Sequence, residues 1–189
     1  SLFAVAGGAA AVSERLAALL TAAGGDLRLG AGVRELEVWE GGARVGIDGE
    51  TAAFDAVVSA IPVPALLGIA RGLPNALADW LRAVRYRPSL SLALLLDRPV
   101  GARYFGLSFP RGEARFVSSV SIQENKGVPL VPEGRGLLVA FPTPEEAPSL
   151  VGLESREVLD RMLPEIARAF PGIEARVTRA RVYRWPIGT

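Results

Sequence analysis

Cysteine and histidine are both missing from these 189 residues. Their absence excludes disulfides, a thiol nucleophile, a Cys/His zinc centre, a histidine general base and a Ser-His-Asp triad. Lysine occurs once, as Lys126, and methionine once, as Met162. Charge of one sign is lacking too: 21 basic against 20 acidic side chains leave +1, so no strong field points at nucleic acid or an acidic membrane. Acidic residues do not cluster at metal-ligand spacing, so no metal site is expected. Apolar runs such as Leu92–Leu96 fall far short of the roughly 20 residues that cross a bilayer. The opening SLFAVAGGAAAV has no basic flank and no cleavage signal. No transmembrane segment or signal peptide is expected, and the location is read as cytoplasmic.

Half of the residues are hydrophobic, enough for one ordinary core with a satellite lobe. After Gly7-Gly8, the residues Val12, Leu16, Leu19, Leu20 and Ala23 share one face of a helix that Gly24-Gly25 stop. Residues 27–29 read as a short strand. Val33–Val38 and Ala43–Ile47, joined at Glu40-Gly41-Gly42, read as a hairpin or meander. The apolar run Ala56–Ala60 reads as a strand covered on both faces. Pro62 and Pro64 open a short helical turn, and Leu77, Trp80, Leu81 and Val84 give a second amphipathic helix with Trp80 in the core.

Leu90–Leu96 is a strong strand, and Tyr104–Phe109 with Arg115–Ile122 flank a hairpin turn. Gln123–Arg135 is a long loop of the kind that often carries function. Leu137–Phe141 is a further strand. Val158, Leu159, Met162, Leu163, Ile166 and Phe170 mark the inner face of a last helix, with an i,i+4 pair between Glu157 and Arg161 and a kink or restart at Pro164. Arg176–Arg184 closes as a strand.

The motifs offer little chemistry of their own. Gly30-Ala31-Gly32 lacks the third glycine and the following helix that a pyrophosphate-binding turn needs. Gly7-Gly8 before a helix is more often a sharp entry than an anion site. Trp185 could wall a planar ligand, although tryptophan is more often simply buried. No acid–base set appears, so chemistry would have to come from a cofactor. A stand-alone module binding a hydrophobic ligand or a protein partner is the alternative reading.

The order of these elements resembles the flavin-containing amine oxidoreductase superfamily, which includes amine oxidases, protoporphyrinogen oxidases and carotenoid desaturases. The resemblance rests on Gly7 and Gly8 with Leu16 and Leu20, on the strand starting at Val33, on Asp55, Val57, Val58, Ala60 and Pro62, and on Arg184-Trp185-Pro186. It implies an α+β fold, with a largely antiparallel mixed sheet flanked by helices and a small remnant of an FAD domain. Residues 1–62 would belong to the FAD-binding domain, 63–180 to the substrate domain, and 181–189 to a segment returning toward the flavin.

Backbone groups at Val33 would meet the adenine end of FAD, and Ala60, Ile61, Pro62 and Trp185 would lie near the cofactor. The parent would oxidise or desaturate a hydrophobic or amine small molecule by hydride transfer to flavin. A cysteine-tethered flavin is excluded, and no catalytic residue is assigned. The dinucleotide fingerprint and the segment that holds the ribityl phosphate are missing, so this chain alone is expected to hold no FAD and to be inactive.

Overall fold

A computed structural model describes residues 5–188. Two compact units form: one from Leu20–Arg85, the other from the flanking described residues. The first helix, α1 (Ala10–Ala22), buries none of its side chains. Its leucine stripe is present as the periodicity predicts, but Val12, Leu16, Leu19 and Leu20 are exposed.

In the unit Leu20–Arg85, β1 (Val33–Trp39), β2 (Gly42–Ile47) and β3 (Glu50–Phe54) form an antiparallel meander. A two-residue strand, β4 (Ala70–Arg71), adds parallel to β1 and gives the order β3-β2-β1-β4. Helix α2 (Val63–Ile69) carries Leu66 and Ile69 onto a small core of Leu36, Ala43 and Val45. Helix α3 (Asn75–Ala83) follows, with Ala78 and Leu81 buried.

Three expectations fail in this unit. Residues 27–29 form no strand, and Leu29 lies in an exposed turn. Ala56–Ala60 forms no strand, and Val58 is 93% exposed. An apolar run makes a buried strand only when neighbours hydrogen-bond to both of its edges, and none is present among the described residues. Trp80 is 66% exposed because Ala78 and Leu81, not Leu77 and Trp80, set the inner stripe of α3.

In the other unit, β5 (Ser89–Leu96), β6 (Gly106–Ser108), β7 (Val117–Ile122), β8 (Gly136–Pro142) and β9 (Val177–Trp185) make an antiparallel sheet of order β6-β7-β8-β5-β9. Strict alternation sends Leu90, Leu92, Leu94 and Leu96 to one face, where all four are fully buried. Helices α4 (Ala147–Val151) and α5 (Ser155–Ala169) cover that face with Leu150, Val158, Met162 and Ile166. Together the two units give the expected mixed α+β architecture, sheets flanked by helices.

Two details of α5 differ from the sequence reading. The helix runs on through Pro164 without a restart. Glu157 does not pair with Arg161; its carboxylate accepts the backbone N–H of Glu154 at 3.1 Å in a capping box, which satisfies an orphan donor of the first turn. The Arg161 guanidinium instead stands 5.9 Å over the Phe116 ring.

Candidate functional site

The sequence-derived positions fall on both units. Val33 opens β1 opposite Ile47. Because β4 pairs with Leu36 and Glu37 only, the β1 edge from Val33 to Glu35 has no strand against it among the described residues. Backbone donors and acceptors at an uncovered edge are free to meet a ligand. The close approach that keeps β4 short is visible at Gly72: its φ is +76°, and a Cβ there would sit 2.1 Å from the Val38 carbonyl oxygen.

Ala60, Ile61 and Pro62 are exposed, and Pro62 caps α2 by accepting the N–H groups of Ala65 and Leu66 at 3.0 and 3.1 Å. A shallow cavity of about 440 Å³ lies between β1–β2 and the strip 55–59, lined by Leu36, Val38, Trp39, Val57, Leu66 and Leu77 among others. It is apolar, and it borders the same strip that leads to Ala60.

Trp185 ends β9 in the other unit, opposite Ser89 and 48% exposed. Alternation along β9 puts Arg179, Arg181, Tyr183 and Trp185 on one face. The Tyr183 and Trp185 rings lie 6.5 Å apart with planes 23° from parallel, and the Arg181 guanidinium sits 5.2 Å over Tyr183. Register continues this face across the sheet through Ala93 opposite Arg181, Val139 opposite Ala93, and Ser121 opposite Val139. It is the face turned away from α4 and α5, and Phe141 and Tyr183 remain 40% and 43% exposed on it.

Arg184, which sequence reasoning noted only as a neighbour of Trp185, points to the opposite face. Its Nε and Nη2 donate to the carbonyls of Val151 and Leu153 at 3.1 and 2.6 Å, fastening β9 to the turn between α4 and α5. That contact holds the end of β9, and so the position of Trp185, against a fixed frame.

The long loop after β7 is anchored at its start. Glu124 accepts the backbone N–H groups of Val100 and Leu137, and the Asn125 amide donates to the carbonyls of Ala102 and Tyr104, both at 2.7 Å. Lys126 closes the single 3-10 turn that begins this loop.

Electrostatics in this unit are structural. The Arg115 guanidinium and the Ser149 hydroxyl, both donating to Glu146, hold its carboxyl below the usual carboxylate range. Glu165 receives three consecutive backbone N–H groups, from Arg115, Phe116 and Val117, at 2.8, 2.9 and 2.8 Å. No group of acidic side chains among the described residues is arranged to hold a metal ion. No helix among them is long and apolar enough to cross a membrane.

Comparison with known proteins gives a consistent answer. The family described as flavin containing amine oxidoreductase matches residues 1–187. None of the curated proteins compared matches the chain. Putrescine oxidase bound to putrescine superposes with a TM-score of 0.71 at 25% identity, over 95% of this chain and 38% of that one. An oxidoreductase from Methanosarcina mazei gives a TM-score of 0.77 at 21% identity, over 97% of this chain and 44% of that one. A protoporphyrinogen oxidase, so designated provisionally, from Exiguobacterium sp. 255-15 gives 0.69 at 19%, over 96% and 39%. The chain thus spans between 38% and 44% of the length of these structures.

Proposed function

Because the chain belongs to the flavin containing amine oxidoreductase family, we propose that it forms the substrate-binding part, with a strip of the cofactor-binding part, of an FAD-dependent oxidoreductase. The observation that carries this reading is the match through residues 1–187, which spans both sheets. Within it we assign residues 1–62 to the FAD-binding domain, 63–180 to the substrate domain and 181–189 to the return segment.

The residues present fit the cofactor. The β1 edge at Val33 is uncovered, as backbone contact with the adenine end requires. Ala60, Ile61 and Pro62 are exposed, and Trp185 offers an exposed ring at the end of a fixed strand. Bound flavin would supply the acceptor for a hydride leaving a substrate carbon.

The chain's own part is to bind and orient. The open face of β5–β9 presents Val139, Phe141, Tyr183 and Trp185, interspersed with serines and the arginines of β9, to a hydrophobic or amine substrate and keeps water from its reacting end. The five strands carry no histidine, aspartate or glutamate, so the part read for their side chains is to bind and orient the substrate. On this reading the enzyme is cytoplasmic, which fractionation of the source cells tests.

These 189 residues supply few of the groups that grip a dinucleotide, so alone they retain no FAD. The test is direct. Expressed with its native flanking sequence, the protein is expected to purify yellow and to bleach anaerobically with its substrate. A colourless full-length protein that takes up no FAD on titration would refute the proposal.

A further inference from the structure

Resting on the reading of the open β5–β9 face as the substrate wall, we infer that the substrate is an apolar molecule carrying a carboxylate, and not a cationic amine. The five strands contain no aspartate and no glutamate, and their only charged side chains are Arg179, Arg181 and Arg184. Arg184 is consumed on the far face by the carbonyls of Val151 and Leu153. Arg179 and Arg181 are exposed on the open face, and neither takes part in an ion pair among the described residues.

Two guanidiniums outside any ion pair, on strands of apolar residues and serines that carry no carboxylate, form a site with one sign. A carboxylate there gains charge-assisted, bidentate hydrogen bonds. An ammonium would meet two like charges and find no anion on the strands to neutralise it. The Tyr183 ring already has a cation over it, the Arg181 guanidinium at 5.2 Å.

The spacing sets the size of the ligand. At about 3.3 Å per residue, Arg181 and Trp185 are roughly 13 Å apart along β9. A body of fused or linked rings lying over Tyr183, Ala93 and Val139 would reach the guanidiniums with an acidic tail. A competing explanation is that the arginines only guard β9, the edge strand, against pairing with other chains. The two explanations differ in what binds.

The probes are 1-pyrenebutyrate and 1-pyrenebutylamine, which share one apolar body and differ in charge, titrated by fluorescence anisotropy into this 189-residue chain at low salt. The butyrate is expected to bind on the order of tenfold more tightly. The double variant Arg179→Ala/Arg181→Ala is expected to bring the two within about twofold, and Arg179→Glu/Arg181→Glu to reverse the order. Arg111→Ala, on the exposed β6–β7 turn, is expected to leave the ratio unchanged.

Equal binding of the two probes, or a preference that survives both double variants, overturns the inference in favour of an edge guard. Flavin uptake by the full-length protein is scored separately. A charge preference without flavin would sink the oxidoreductase reading and leave the anionic ligand standing; flavin without the preference would do the opposite.

Discussion

Among the described residues, fifteen buried side chains make the core between β5–β9 and the helices α4 and α5, whereas the β1–β4 sheet closes over Leu36, Ala43 and Val45. Both sheets follow the same pairing rules, yet one covers a full face with its own helices and the other relies on the short α2. A sheet needs a second apolar layer to be stable. The five-stranded unit contains that layer, and the four-stranded unit contains a fraction of it. The difference separates a sheet with its own cover from a strip whose exposed edge and exposed residues 56–61 suit it to work against something else.

The sharpest way to break the comparison is Leu138→Ala. Leu138 is fully buried at the centre of the larger core, and its truncation is expected to cost about 2–5 kcal/mol in urea denaturation. The same change at Leu36 should fall at or below the low end of that range, since its surroundings are sparse enough to collapse. Equal losses would show that the smaller core is as tightly built as the larger.

Gly72→Ala comes next, at about 2–3 kcal/mol, because alanine at φ +76° is strained and its Cβ would strike the Val38 carbonyl. The loss should appear in the melting of the four-stranded unit only, leaving hydrogen-exchange protection of β5 and β8 unchanged. A coincident loss of protection in both sheets would mean that the two units unfold as one.

Glu165→Gln is expected to cost about 1.5–3 kcal/mol, since a neutral amide replaces a carboxylate that serves three N–H donors. Its effect should be confined to the five-stranded unit.

The smallest effect concerns acid. Hydrogen bonds from Arg115 and Ser149 depress the Glu146 carboxyl in the folded chain. Its contribution to stability is therefore complete above the ordinary carboxylate range and fades as pH falls through the depressed folded value. Glu146→Gln should flatten the acid limb of a stability–pH curve slightly; an unchanged limb would remove Glu146 as a contributor.

The larger sheet was legible in the sequence because it supplies its own cover. SLSLALLL alternates, the α5 residues recur at helical spacing, and both patterns find their partners nearby. The smaller unit was harder to read for the opposite reason. The run at residues 56–60 and the ring of Trp80 have the apolarity of buried groups, but burial depends on a neighbour that no local pattern encodes.

The residues proposed for the cofactor side were reached through resemblance alone. A backbone contact of the kind proposed at Val33 would leave no side-chain signature, and Ala60-Ile61-Pro62 is chemically plain. Arg179 and Arg181 were overlooked because arginine is the common cation throughout the chain. The signal that could have found them is the missing half of the pattern: strands with arginines and no carboxylate to balance them.

Glu165 has one more consequence, for alignment. A strand that slips by one residue turns every side chain to the wrong face, and β7 already carries an irregularity between Val117 and Ser119 where it meets β8. By gripping the amides of residues 115–117 from a helix some fifty positions away, its carboxylate works as an index pin. It marks where β7 begins, so Val117, Val120 and Ile122 face inward and Ser119 and Ser121 are delivered to the face turned away from the helices.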